Sequence, residues 1–409
     1  MRGHKPITLI AVGDLCPGDH LCMGFGVGSL ARKHGPAFAL QHIGDILREG
    51  DIVFGNCEGV LSDIGLDLGN IDTMEFRGSP SFAQTLRSYG FTVLTVANNH
   101  VGEHGREAMR ETFSSLCSAG LEVIGIRNGT RTSVPLVQEV KGLRIGWLAY
   151  TWLVSGNSDL DRESLAYTKG AEVPHEVAML RPQVDFLIVS AHWGREYVTV
   201  PPQTVINNAH AIADAGADLI LGHHPHVLQG IERRGQCLIV YSLGNFLFDM
   251  WQPRLRETAL FRCTIESGKI CSPEFVPLLI NKKFQPALAT SARATRILRR
   301  IERRSNALKD PTLAPLRDDT RVAQLERKKK RWLARVHLLY LAVSLKRMGI
   351  QIAYQKLGRH LPRLLFAIWI GLPASIPFHN LSRHRPSLSH MRGSVFRETR
   401  MPGAGLLPA

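Results

Sequence analysis

Six of seven short apolar runs in this chain end in residues able to hold a cation or move a proton. Asp14 follows Ile7–Val12, Glu58 follows Asp51–Phe54, and Asn99-His100 follows Phe91–Ala97. His192 ends the run from Asp185, His223-His224-Pro225-His226 follows Ala217–Leu221, and Asn245 follows Cys237–Tyr241. Carboxylate, amide and imidazole groups on rigid elements make a donor set for a divalent cation with open positions for water and substrate. Mixed oxygen and nitrogen donors suit Mn²⁺, Zn²⁺ or Fe²⁺, as one ion or two. The His224-x-His226 spacing directs both imidazoles to one side of an extended segment, which Pro225 stiffens.

Each motif has a plainer explanation when taken alone. Gly13-Asp14 after a strand reads as a turn, Asn98-Asn99 reads as a helix cap, and His192 reads as a hydrogen-bonded core residue. Three imidazoles within four residues after a buried strand have no such packing explanation. Five separate strand ends bearing ligand types therefore predict a metal site.

The scaffold follows from the runs themselves. Near-continuous Val/Ile/Leu stretches bounded by glycine predict strands buried on both faces. Ser81–Tyr89, Arg106–Ala119 and Val205–Ala215 have helical length and apolar spacing. This alternation predicts an α/β layered core, in which ligands sit beyond the carboxyl ends of the strands.

Charge divides the 409 residues in two. Residues 282–409 carry 27 Lys+Arg against 6 Asp+Glu, whereas residues 1–281 carry 23 against 29, so the overall +15 belongs to the tail. Residues 1–281 are expected to form the α/β domain, 282–378 a basic amphipathic helical extension, and 379–409 a disordered end rich in Ser, Pro, Arg and Gly. Arg293–Arg304 and Arg321–Arg335 are helix-compatible, and Trp332–Ala367 mixes apolar residues with spaced cations. Such stretches suit an anionic membrane surface or a membrane-bound synthase complex, with Leu364–Phe378 inserting shallowly. They also suit a plain solvated helical face. The net −6 of the first 281 residues speaks against a nucleic-acid groove.

Seven scattered cysteines without a C-x-x-C pair argue against a disulfide framework and a thiolate zinc site. No secretory leader is evident at the start, and no apolar run reaches the ~18–20 residues that span a bilayer. The expected location is the cytoplasm or the inner face of the membrane.

At these motifs the sequence resembles the CapA family of capsule and poly-γ-glutamate synthesis, related to calcineurin-like metallophosphatases. The resemblance covers roughly residues 7–280. It rests on Val12-Gly13-Asp14, Asn56-Cys57-Glu58-Gly59, Ala97-Asn98-Asn99-His100, Ser190-Ala191-His192-Trp193-Gly194, Gly222-His223-His224-Pro225-His226 and Tyr241-Ser242-Leu243-Gly244-Asn245-Phe246. It implies a β-sandwich core flanked by helices. It implies metal ligation by Asp14, Glu58 as bridging acid, Asn99, His192, His224 and His226. His100 would face the substrate as general acid or electrostatic stabiliser, Glu103 would orient it, and His223 and Asn245 would shape the substrate pocket. Two departures accompany this assignment. The bridging acid is Glu rather than Asp, and Cys16 stands where a phosphatase would have a third-position histidine. The implied function is a metal-dependent hydrolase of a phosphoester or γ-glutamyl amide, acting on an anionic polymer or its precursor. The alternative is a non-catalytic accessory subunit of a polymer synthase or exporter that keeps the fold.

Overall fold

The computed structural model describes residues 5–20, 25–129, 131–250, 252–332, 349–355 and 357–358. The expected insertion of Leu364–Phe378, the disordered end from 379, and most of the amphipathic stretch 332–367 lie outside those residues.

Strands appear where the apolar runs predicted them. In chain order they are β1 (Ile7–Leu15), β2 (Ile52–Cys57), β3 (Val60–Leu61), β4 (Arg77–Gly78), β5 (Val93–Thr95), β6 (Glu122–Ile124), β7 (Leu136–Val140) and β8 (Leu143–Thr151). They continue as β9 (Phe186–His192), β10 (Leu219–His223), β11 (Ile231–Arg234), β12 (Cys237–Val240), β13 (Asn245–Leu247), β14 (Glu257–Glu266), β15 (Lys269–Ile280) and β16 (Pro286–Leu288). One sheet has the order β16-β15-β14-β1-β2-β5-β6, with β13 also on β1; a second has the order β11-β12-β10-β9-β8-β7. The central strands β1, β2, β5, β8, β9 and β10 pair in parallel, so their carboxyl ends lie together within each sheet.

Strand periodicity decides what fills each layer. Ile7, Leu9 and Ala11 of β1, with Ile52 and Phe54 of β2, join one buried cluster with Ile145, Trp147 and Ile188 of the second sheet. Phe54 and Trp147 stack with centroids 5.2 Å apart, so the two sheets face each other. Ile10, Val12 and Val53 point the other way, onto Phe82 and Leu86 of the helix Ser81–Ser88 and Met109 and Leu116 of the helix Gly105–Ser118. Val177 of the helix Val173–Leu180 and Ala209 and Ile212 of the helix Gln203–Asp214 cover the second sheet. The result is the expected α/β sandwich of two sheets flanked by helices.

Beyond residue 281 the chain adds β16 and the basic helix Ser291–Lys309, whose Ile297 and Ile301 are buried against Leu228 and Ala259. A further helix occupies 319–332. Among the described residues, no helix is long and apolar enough to cross a membrane.

Candidate metal centre

The two sheets bring their strand ends to one place. Asp14 lies in register with Asn56 across β1 and β2, and His223 with His192 across β10 and β9. Two buried triads result, Asp14–Glu58–His192 and Glu58–His224–His226, each with ligand atoms within 4.8 Å of one another. Glu58 belongs to both. Its Oε1 lies 3.7 Å from His192 Nε2 and 3.8 Å from both His226 Nε2 and His100 Nε2. Those gaps are too long for hydrogen bonds. They approach the ~3.4 Å edge between donors held ~2.1 Å from one tetrahedral cation. Asp14 Oδ2, Glu58 Oε1, His223 Nε2 and His224 Nδ1 are buried and make no hydrogen bond. Orphaned polar atoms of this kind are costly unless something ligates them, so the donor set fits a divalent cation.

Amides hold the ligands in place. Asn56 Nδ2 donates to Asp14 Oδ1 at 2.9 Å and to Glu58 Oε2 at 3.2 Å, and its own oxygen accepts from Asn98 Nδ2 at 3.1 Å. The sequence motifs contain Asn56 and Asn98, yet neither stood out as a candidate beside the more reactive groups. Asn245 sits behind His226 rather than in a pocket. Its Nδ2 donates to the carbonyls of His226 and Leu255, which leaves Oδ1 to accept from His226 Nδ1 at 2.9 Å. His226 Nε2 is then the free donor atom, directed at Glu58. His223, expected at the substrate, is fully enclosed, with its ring against Phe54 and Nδ1 at 3.2 Å from Asp14 Oδ1.

Asn99 and His100 occupy the open side. Asn99 Oδ1 lies 2.7 Å from His192 Nε2, and Asn99 Nδ2 lies 3.2 Å from His100 Nε2. Glu103 Oε1 holds His100 Nδ1 at 2.9 Å, and Phe76 stacks on the ring at 4.1 Å. Burial disfavours the His100 cation, but Glu103, with Glu196 and Asp14 behind it, outweighs burial and raises the imidazole above its ordinary value.

The turn after β10 departs from the extended geometry expected for His-x-His. His224 and His226 both adopt positive φ, 93° and 55°, and so do the neighbouring Phe76 at 55° and Tyr197 at 63°. Side chains rarely accept this region, at a cost of order 1–3 kcal/mol each, and it collects at functional sites. The two imidazoles converge on Glu58 because the chain curls twice.

Protonation follows from enclosure. Burial, then the charge of Asp14, holds Glu58 well above the usual carboxylate range. Burial also resists ionisation of Asp14, but the hydrogen bond from His223 and the nearness of the His223 and His226 imidazoles prevail and hold it well below. Burial keeps His192 and His224 well below the ordinary imidazole value, so they stay neutral and able to ligate. A cation entering this centre must therefore displace a proton from Glu58. Mn²⁺ uptake is expected to strengthen as pH rises. Titration calorimetry should give an enthalpy that depends on the buffer's ionisation heat, and a buffer-independent enthalpy would contradict the assignment of Glu58.

The model of the bacterial capsule synthesis protein PGA_cap family matches residues 8–250. The chain belongs to this family. It is 28% identical over 309 residues to the capsule biosynthesis protein CapA of Bacillus anthracis, spanning 73% of this chain and 74% of that one. It is 29% identical over 301 residues to the PGA biosynthesis protein CapA of Bacillus subtilis, spanning 72% and 77%. Among solved structures, it aligns over 66% of its length with 98% of a hypothetical protein from Thermus thermophilus, at 14% identity and a TM-score of 0.40.

Every candidate ligand falls inside the PGA_cap span, and so does the departure at Cys16. That thiol is fully buried among Val227, Phe248, Met250 and Leu255. Burial, then the charges of Asp249 and Glu58, pushes its pKa far up, so it packs as a small apolar group and not as a thiolate. Some of the contacts that cross the end of the span lie close to the centre. Lys330 Nζ bridges Glu196 at 2.7 Å and Glu326 at 3.0 Å, and Lys329 Nζ donates to the Tyr197 carbonyl at 2.7 Å. Glu196 escapes sequence reasoning because it lies two residues past the His192-Trp193-Gly194 motif.

Proposed function

We propose that this PGA_cap protein serves the synthesis of an anionic surface polymer of the capsule or poly-γ-glutamate type. Within that role it acts as a metal-dependent hydrolase of a phosphoester or γ-glutamyl amide. The observation that carries this reading is Glu58, one buried carboxylate shared by two ligand triads. Asp14, Glu58, Asn99, His192, His224 and His226 would hold one or two divalent ions of the Mn, Zn or Fe class. When bound, such ions supply Lewis acidity and lower the pKa of a coordinated water towards ~7. The chain's own residues do the rest. His100, on the open side of Glu58, gives its proton to the leaving oxygen or nitrogen, and Glu103 keeps that imidazole charged and aimed. Family relatives named for capsule and PGA biosynthesis support the general role.

Elemental analysis of protein purified without added metal, beside a panel of phosphoesters and γ-glutamyl peptides, tests the proposal. One or two equivalents of metal with turnover support it. A metal-free chain inert on the panel would overturn it in favour of the accessory-subunit reading, which the buried, protonated Cys16 already favours at one position.

His100 and Glu103 give a separate test. His100→Ala should lower kcat by ~10²–10⁴. Glu103→Gln removes the group that raises His100, so the imidazole loses its proton at lower pH. The alkaline limb of the kcat profile should then move to lower pH while metal content holds. An unmoved limb would take the proton away from His100.

A further inference from the structure

A cluster of cations adjoins the metal centre without partners of opposite charge. Arg254 and Arg303 are exposed, and Arg304 and Lys329 are half-buried. Among the described residues, none of the four forms an ion pair, whereas Arg300 beside them is paired with Glu257. All four lie beyond residue 250, where the family match ends.

Arg254, Arg304 and Lys329 are tied to the centre. Lys329 donates to the carbonyl of Tyr197, whose ring stacks on His226 with centroids 5.9 Å apart. Arg304 donates at 2.5 Å to the carbonyl of Leu228, two residues after His226. Arg254 precedes Leu255, whose carbonyl accepts from the Asn245 amide that orients His226. Between the loop Thr199–Pro201 and the helix Ser291–Lys309 lies a cavity of about 290 Å³, lined in part by Arg303, Arg304 and Arg317. Burial, then the like charges of Arg300, Arg303 and Arg254, brings Arg304 down to about 10, and Lys329 is lowered by burial and by Arg254 and Arg304.

We propose that Arg254, Arg303, Arg304 and Lys329 form a binding site for successive carboxylates of a polyanionic chain, beside the metal centre. This rests on the anionic-polymer reading above and adds to it where the polymer lies. Arg304 and Lys329, fixed through backbone carbonyls, present charge at defined points beside the exposed Arg254 and Arg303, which suits a chain with one carboxylate per repeat. A nucleic acid would need basic surface along a longer path.

Fluorescence anisotropy on the full chain with Mn²⁺ can test this, using soluble poly-L-glutamate and an oligo-dT of matched charge at one ionic strength. The Arg254→Gln/Arg303→Gln protein should bind polyglutamate at least tenfold more weakly than wild type, with metal content unchanged. Lys5→Gln/Lys269→Gln, an equal charge loss at the opposite ends of the strands, should stay within twofold. The proposal is overturned if the cluster variant binds as wild type does, if the control weakens as much, or if oligo-dT binds more tightly. Metal content reports on the centre and polymer affinity on the cluster, so either reading can fail alone.

Discussion

Under the proposed metal-dependent hydrolysis, the Glu58→Gln protein is expected to lose metal from both triads and to turn over at least ~10³-fold more slowly, while its metal-free form melts no lower than metal-free wild type. Oε1 of Glu58 lies within 3.8 Å of donor nitrogens from His100, His192 and His226, and it makes no hydrogen bond of its own. An amide keeps the shape and removes the charge two cations would share. Several kcal/mol of transition-state stabilisation by metal are lost, and each 1.36 kcal/mol is tenfold in rate. Stability moves differently. Asp14 and Glu58 are both enclosed, and Glu58 is raised partly by the charge of Asp14. Replacing one acid relieves that conflict in the metal-free protein. Asp14→Ala and His224→Ala each belong to one triad only, so each is expected to retain part of the metal that Glu58→Gln loses. Mass spectrometry of metal content and a thermal melt in chelator decide the matter. Full metal content in Glu58→Gln would remove it from the bridging position.

Much of this arrangement was legible in the residues. The strands announced themselves because runs buried on both faces cannot alternate, and the ligands stood out because imidazoles and acids at strand ends have few packing uses. What stayed hidden depends on three-dimensional pairing. Nothing local says that Asp14 will face Asn56 on one sheet while His192 and His223 align on another. The positive φ at His224 and His226 is invisible because a histidine carries no mark of the left-handed region. Lys330 lies in a basic stretch that reads either as a membrane-facing surface or as a solvated helical face. Its partner Glu196 lies more than a hundred residues earlier, where no periodicity reaches. The residues alone end the first strand too early, at Gly13-Asp14. That pair reads as a turn, whereas β1 runs on through Asp14 to Leu15.

That last difference carries the second large effect. A Cβ on Gly13 would lie 1.8 Å from the Gly244 carbonyl oxygen and 2.8 Å from its carbon, both backbone atoms. The glycine serves close approach, since β1 and β13 pair here and Asp14 N donates to that same carbonyl at 2.9 Å. The neighbouring backbone has no room to retreat. The Cβ position of Gly244, itself at φ 68°, is already 3.1 Å from Leu228 N and 3.3 Å from the Val227 carbonyl carbon. Displacement would run into the segment that carries His226. Gly13→Ala is therefore expected to destabilise by about 3 kcal/mol or more, a melting shift of order 5–10 °C, and to lower metal affinity together with stability. Gly35→Ala provides the contrast. Gly35 has φ 85° and ψ 153°, a region essentially reserved for glycine, with nothing within 4 Å of its Cβ, so only backbone strain is felt, of order 1–3 kcal/mol, and metal affinity should hold. Equal losses in the two variants would mean that conformational freedom, and not contact between β1 and β13, accounts for the glycine before the first ligand.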